Sequence, residues 1–389
     1  MVERKLLTLN AGSSSVKFAV YGLAREPVTQ VSGQVENLGP AARLSVKPVG
    51  GEKFTRQLGS ADHAEALKEI IAEAVGTNDR GSFAGFGHRI AHGGSDFTSP
   101  TAIDDDVVQE LRKLEPLAPL HQPHNLACVE AARRLFPDAL QLACFDTAFH
   151  RGHPWVNDTF ALPKAYFERG IRRYGFHGLS YDFITSELAR TAPDVANGRV
   201  IIAHLGNGAS MCAVRDGRSV ASTMGFSALD GLPMGTRCGQ LDPGVLLYLL
   251  EQEQMTPADI TRLLYRESGL KGLSGLTHDM RELEASDDED ARKAIEYFVF
   301  RVRREIGAMC AVLGGVDALV FCGGIGENSA TIRQRICEQM EWIGISVDAA
   351  ANAQNATRIE SGQVAIFVIQ TDEERVIARA LAEALAPDS

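Results

Sequence analysis

Apolar residues recur along this chain in two spacings: short runs that suit strands, and three- or four-residue intervals that suit helices. Residues 6–21 read LLTLNAGSSSVKFAVY, an apolar strand, a turn of small residues opening on Asn10, and a second apolar strand. Residues 201–214, IIAHLGNGASMCAV, follow the same plan, and Asn10-Ala-Gly-Ser aligns with Asn207-Gly-Ala-Ser without a gap. Short strands continue through QVSGQVENL, RLSVKP and KFTRQLG. The spacing predicts a helix over 64–75, with Leu67, Ile70, Ile71 and Val75 on one face. There follow the strand FAGFGHRIAHGG, helices over 105–114 and 125–135, and the strand LQLACFDTAFH. Strands first, then alternating helix and strand, indicate a mixed sheet covered by helices. From Gly198 the plan starts over, with helices over 243–253, 257–265 and 291–313, the strand DALVFCGG and a helix from Ser329. The strand VAIFVIQ then feeds a C-terminal helix after Thr371. Domain junctions fall near Phe149 and Thr371. The acidic run SDDEDARK suits a solvated helix start, its carboxylates favoured by the N-terminal dipole.

Tips built from Gly, Ala and Ser let backbone N–H groups and hydroxyls close on an anion without interference from Cβ atoms. Gly, Ser and Asn are also the ordinary residues of hairpin turns, and either tip alone reads better as a turn. The pair points further, to a duplicated domain holding a polyphosphate. Neither tip matches GxxxxGK[ST] or GxGxxG, so any phosphate site belongs to another class.

A chain of 389 residues, 45% hydrophobic and 23% charged, is long enough for two domains, each with its own core. Its net charge of −11 argues against nucleic acid or an anionic membrane as the main partner. The apolar run after MVERK is too short for a secretory signal. No stretch approaches the ~20 apolar residues of a membrane span. Seven scattered cysteines without a CxxC pair suit a reducing cytoplasm rather than a disulfide scaffold or a thiolate zinc site. Cys238, beside Arg237, is the thiol to test for reactivity.

Candidate chemistry gathers in a few short segments. RRYGFHGLSYDF places His177 before a helix with Ser180 as the expected N-cap, a position attractive to an anion, although a capping histidine reads equally well. FGHRIAHGG carries His88, Arg89 and His92 out of an apolar strand into glycines, and GLPMGTRCGQLDPG puts Arg237 in a glycine-rich loop. Two guanidinium groups suit a carboxylate meeting a phosphoryl group, with Asp146 at a strand end to orient one of them. The pairs His88/His92, His121/His124 and His150/His153 raise a metal-hydrolase reading, which lacks HExxH and neighbouring carboxylates. In FCGGIGENS, Gly323, Gly324 and Gly326 let the backbone approach a ligand closely. In TDEERVIARAL, Thr371 as N-cap with Glu374 makes a capping box and leaves Glu373 as an oxygen ligand for Mg2+.

Nine motifs in order, LTLNAGSSSVKF, HRIAHGG, APLHQPHN, FDTAFH, RYGFHGLS, HLGNGAS, GLPMGTRCGQLDPG, FCGGIGENS and TDEE, span essentially the whole chain. Together they resemble the acetate kinase family, the short-chain carboxylate kinases of the acetokinase branch of the actin, Hsp70 and sugar kinase superfamily. The resemblance implies an α/β fold of two ribonuclease-H-like, actin-like ATPase domains flanking a cleft. The first is 1–148 plus 372–389, with a returning C-terminal helix; the second, 149–371, binds nucleotide and carries the homodimer contact. It implies reversible in-line transfer from ATP to acetate, giving acetyl phosphate and ADP, in the cytoplasm. Asn10 and Glu373 would hold Mg2+, with Mn2+ as an alternative. Lys17, His204, Gly206, Asn207, Gly208, Asp279, Met280, Arg281, Gly324, Ile325, Gly326 and Asn328 would bind ATP. Arg89, Asp146, His177, Arg237 and His121 would be catalytic, and Ala91, Leu120, Phe176 and Ala228, with Arg89, would hold the carboxylate substrate. A carboxylate is already an anion, so catalysis is mostly charge neutralisation and alignment.

Two departures belong to this sequence. Ala91 and Ala228 stand where the usual acetate enzymes carry Val and Pro, which widens the acyl pocket toward propionate unless neighbours refill it. Gln240 stands where Asp is common. The alternatives are a propionate or butyrate kinase and, from another class, a non-metabolic actin- or Hsp70-like ATP switch.

Overall fold

Strand Lys5–Ala11 (β1) turns back antiparallel as Ser15–Gly22 (β2), with Asn10 opposite Lys17 and Ala11 opposite Val16. Val28–Glu36 (β3), Gly39–Pro48 (β4) and Phe54–Ala61 (β5) continue this meander beyond β2. On the other side of β1, Phe83–Ile90 (β6) pairs parallel to it. Beyond β6 lie Thr101–Ala102 (β7), a short edge, and Leu140–Phe145 (β8), parallel to β6, in the order β5-β4-β3-β2-β1-β6-β8-β7. A second sheet is built from Arg199–Leu205 (β9), Ala209–Arg215 (β10), Arg218–Ser222 (β11), Ala318–Cys322 (β12) and Ala365–Val368 (β13). Its order is β11-β10-β9-β12-β13, with β9 and β12 parallel and β12 and β13 parallel. The stretch β3-β2-β1-β6-β8 repeats that succession of antiparallel and parallel pairs.

The structure, a computed structural model, describes residues 4–75 and 82–386. Residues 1–3 at the start of the N-terminal run, the side chain of Val75, and residues 387–389 lie outside the described residues. The chain divides into two compact units, Met1–Phe149 with Asp372–Ser389, and His150–Thr371.

In the first unit β1 is covered on both faces, which is why LLTL shows no alternation. On one face Leu7, Leu9, Phe18 and Phe86 pack with Leu67, Ile70 and Ile71 of helix His63–Val75 and with Cys128, Ala131 and Ala132 of helix Gln122–Leu135. On the other lies the C-terminal helix Glu373–Leu385. A Cβ on Gly85 or Gly87 would run into Leu381 or Ile377, so the glycines of FAGFGHRI permit that close approach. In the second unit the sheet packs on helix Glu289–Leu313 through Phe298, Val302 and Ile306. That helix opens on the capping carboxylate of Asp288 and closes at Gly314 in the left-handed conformation, φ 71°. Among the described residues no helix is long and apolar enough to cross a membrane. All seven cysteines are free thiols.

Candidate active site

In the first unit β1, β6 and β8 lie side by side and parallel, and their C-terminal ends bring three distant residues together. Leu9 stands opposite His88 and Arg89 opposite Cys144, and Asp146 N–H donates to the Ile90 carbonyl at 3.0 Å. Arg89 donates from Nε and Nη2 to the two Asp146 oxygens at 3.0 and 2.6 Å, and from Nη1 to Asn10 Oδ1 at 3.1 Å. Glu373, the first residue of the C-terminal helix, places Oε2 3.7 Å from Arg89 Nε. Burial opposes the guanidinium charge, but Asp146 and Glu373 outweigh it and hold the pKa above the usual arginine value. This is a bidentate, charge-assisted clamp with its cation fixed in orientation.

The loop after β6 is held by two buried amides and a buried hydroxyl outside the expected site residues. Asn125 Oδ1 accepts from Ala91 N at 2.9 Å while its Nδ2 donates to the Ala11 carbonyl at 2.6 Å. Gln122 Oε1 accepts from His92 N, and Thr147 Oγ1 accepts from Gly93 N. All three sit inside APLHQPHN and FDTAFH, but nothing local distinguishes them from polar residues at the surface. Ala91 is buried; Leu120 and His121, just before helix Gln122–Leu135, are half-buried.

The two adjacent glutamates face different surroundings. Glu373 meets Arg89, whereas burial first, and then the Glu373 charge, push the Glu374 carboxyl up, with Lys17 partly offsetting them. Lys17 and Glu374 line an open cavity of about 460 Å³ with Tyr21, Lys47 and Asp372. The expected capping box does not form: Asp372 is the N-cap, accepting from Arg375 N, and Thr371 bonds Ser180 Oγ instead. The helix starts one residue later than expected because the Asp372 carboxylate reaches the free N–H first.

In the second unit the β9–β10 turn Gly206-Asn207-Gly208 is gripped from two sides. Gly235 N–H donates to the Asn207 carbonyl at 3.1 Å, and a Cβ on Gly235 would collide with Asn207 Oδ1. A Cβ on Gly208 would stand 3.2 Å from His177 Nε2 and 4.0 Å from Arg237 Nη1, so the turn lies close against the His177 ring. Arg237 donates to the Ala228 carbonyl at 3.1 Å. His177 adopts φ 58° at the entrance to helix Gly178–Thr191, with Nδ1 2.8 Å from Ser210 Oγ. His177, not Ser180, is therefore the residue preceding that helix. Ser180 lies inside it, 2.8 Å from His204 Nδ1 and 2.8 Å from Thr371 Oγ1. Phe176 is buried and Ala228 half-buried.

The glycine run after β12 is also corrected. Gly323–Asn328 is already helical rather than an open turn, and Gly323, φ 75°, has no room for a side chain against the Leu205 backbone. Glu327 Oε1 accepts from Gly323 N at 2.8 Å and Thr371 N at 3.0 Å, and the fully buried Arg333 donates to the carbonyls of Gly326 and Glu327 at 2.8 and 3.0 Å. Neither residue was expected. Gly324, Ile325 and Asn328 line an open cavity of about 700 Å³ with Gly206, Asn207, Asp279, Met280 and Arg281. Gly326 does not; it is turned inward toward Phe321 and Ala203, because helix geometry carries it about 200° around from Gly324. Asp279 caps helix Met280–Glu284, and its hydrogen bonds from Arg281 hold its carboxyl down to about 2.

One further expectation changes, and Gln240 finds its partners. The Cys238 thiol is pushed up by burial and donates to the Gly239 carbonyl, the opposite of an activated thiolate. Gln240 Oε1 accepts from both Arg301 at 2.9 Å and Arg304, tying its loop to helix Glu289–Leu313.

Two sheets with one strand plan, a clamped arginine at the strand ends of the first unit and glycine-rich strand ends in the second mark a phosphotransferase on the duplicated actin-like ATPase fold. A sequence model of the Acetokinase family matches residues 5–379. The acetate kinase of Methylocella silvestris is 55% identical over 392 residues, covering 97% of each chain. Among solved structures, Porphyromonas gingivalis acetate kinase is similar with a TM-score of 0.88 at 36% identity, covering 96% of this chain and 98% of that one. A propionate kinase from Francisella tularensis is similar with a TM-score of 0.90 at 35% identity, covering 97% and 98%. The chain belongs to the acetokinase family.

Proposed function

We propose that this chain transfers the γ-phosphoryl group of ATP to acetate, reversibly, giving acetyl phosphate and ADP. The observation that carries this is Arg89: a guanidinium held charged and in one orientation by buried Asp146, at strand ends beside Asn10 and Glu373. Acetate needs no base to become a nucleophile, and the barrier lies in bringing two anions together. Arg89 and Arg237 neutralise the carboxylate and the transferring group, and Asp146 fixes Arg89. Ala91, Leu120, Phe176 and Ala228 surround the methyl group, and His121 hydrogen-bonds at the reacting oxygens. His177, Asn207, Gly208 and Lys17 contact phosphates with His204 nearby, while Gly206, Asp279, Met280, Arg281, Gly324, Ile325 and Asn328 hold the rest of the nucleotide at the 700 Å³ cavity.

Asn10 Oδ1 and the Glu373 carboxylate are hard oxygen donors adjoining one cation, and two such ligands suit an ion shared with phosphate oxygens. Mg2+, or Mn2+, bound there with ATP would supply further charge neutralisation. Small side chains at Ala91 and Ala228 favour propionate as a further substrate, a reading supported by similarity to a propionate kinase. The helix Pro243–Glu251 buries none of its residues and exposes Val245, Leu247, Tyr248 and Leu250, which supports a homodimer through this face. Seven free thiols support a cytoplasmic setting. A hydroxylamine trap for acyl phosphate, run with ATP and acetate, propionate or butyrate, tests the activity. Acyl hydroxamate from acetate and propionate is the expected result, and none from any acid removes the proposal.

A further inference from the structure

His177 and His204 stack with ring centroids 4.4 Å apart and planes 23° apart. Each Nδ1 lies 2.8 Å from a serine hydroxyl, His177 from Ser210 and His204 from Ser180. Each Nε2 is thereby turned to the glycine turn: a Cβ on Gly208 would be 3.2 Å from His177 Nε2, and one on Gly206 3.9 Å from His204 Nε2. The two hydroxyl chains end differently. Ser180 continues to Thr371 Oγ1, another hydroxyl that can donate or accept. Ser210 continues to the phenol of Tyr181, a fully buried side chain inside helix Gly178–Thr191.

We propose that Tyr181 and Ser210 are positioning residues that fix the tautomer of His177, with Tyr181 donating to Ser210 Oγ, Ser210 donating to His177 Nδ1, and the ring hydrogen left on Nε2. A neutral imidazole has one donor and one acceptor nitrogen, so occupying Nδ1 as acceptor makes Nε2 the donor. A hydroxyl has a single hydrogen, so once Ser210 accepts from the phenol its own hydrogen is directed to the ring. Burial pushes the phenol pKa well above its usual value, so Tyr181 keeps the proton this chain needs. The left-handed backbone of His177 aims the ring at the turn, and the relay decides which nitrogen arrives there carrying hydrogen. The functional consequence rests on the proposed contact of His177 with a phosphoryl oxygen, to which Nε2–H donates.

Long-range 1H–15N correlation spectra of the histidine-labelled full chain read the tautomer without reference to activity. The wild type is expected to show His177 with hydrogen on Nε2, and Ser210→Ala to lose that preference. Tyr181→Phe, which removes only the hydroxyl, gives a mixture and remains informative should Ser210→Ala fail to fold. Turnover in Ser210→Ala is expected to fall roughly tenfold, less than the ~10²–10³ of deleting a donor outright, with KM for ATP little changed. Hydrogen on Nδ1 in the wild type, or the same tautomer in all three proteins, overturns the relay. The expected tautomers with unchanged turnover in Ser210→Ala overturn its positioning role. An active His177→Ala enzyme removes the phosphoryl contact instead, and leaves the spectral result standing.

Discussion

The ends of β1, β6 and β8 in the first unit and of β9, β12 and β13 in the second come from one strand plan, yet they present different chemistry. The first gathers charge: Arg89, Asp146 and Glu373, with the amide of Asn10. The second gathers glycines and imidazoles, and the carboxylate in the turn of helix that follows β12, Glu327, accepts from the backbone of Gly323 and Thr371. Even the two asparagines that align without a gap are not equivalent. Asn10 is the penultimate residue of β1, paired with Lys17, whereas Asn207 stands in the turn between β9 and β10. The β1 hairpin closes on the pair Ala11–Val16 and the β9 hairpin on Leu205–Ala209, so the first turn is a residue longer and the asparagines slip relative to each other. A duplicated fold thus repeats where strand ends point, and each copy fills those ends independently.

If the first unit supplies charge and the second holds nucleotide, mutations should separate the two. Arg89→Ala is expected to lower kcat by about 10³-fold, with ATP affinity near that of the wild type. Arg89→Lys should rescue little, since an ammonium cannot span both Asp146 oxygens. A rise in the ATP dissociation constant as large as the fall in kcat would erase the distinction.

Acid should weaken both units through one mechanism. Burial lowers the pKa of His88 in the first unit and of His150 in the second to about 4. Both are neutral in the fold, while an unfolded histidine binds its proton near pH 6.5. The native state therefore takes up fewer protons between these values, and stability is full above pH 6.5 and falls as pH drops toward 4. At pH 5 the loss is about 2 kcal/mol per histidine. Denaturant midpoints at pH 7 and pH 5 check it, and His88→Gln or His150→Gln should each remove part of the drop.

Gly324→Val probes the nucleotide side in return. No atom lies within 4 Å of a Cβ placed there, so the fold has room, but the side chain would stand in the 700 Å³ cavity. ATP affinity is expected to fall about tenfold, a 1.4 kcal/mol effect by titration calorimetry, with an unchanged melting temperature. The smallest effect belongs to the acyl pocket: Ala91→Val should shift kcat/KM toward acetate over propionate by about fourfold, the worth of one buried methylene at ~0.8 kcal/mol. An unchanged ratio means that neighbours already fill the space.

Local features carried much of this in the sequence. Hairpins, helices and the restart at Gly198 follow from apolar spacing and turn residues, which act over a few positions. The motif order was enough for the family. Arg89 and Arg237 stood out because an arginine leaving an apolar strand, or set among glycines, is unusual locally.

What the sequence by itself determined is therefore the inventory: two hairpins, their flanking helices, and the residue types a carboxylate kinase requires. Tertiary structure decided the pairings. Asp146 meets Arg89 across 57 positions only because β6 and β8 lie parallel in register. Asn125, Gln122 and Thr147 became supports of the Ala91 loop only when their helix and strand end closed on it. Gly326 turned inward because it lies about 200° around its helix from Gly324, and Ser180 and Thr371 became each other's partners because Ser180 lies inside helix Gly178–Thr191 rather than capping it. Spacing along the chain specifies a period, whereas its phase is set by whatever packs against it.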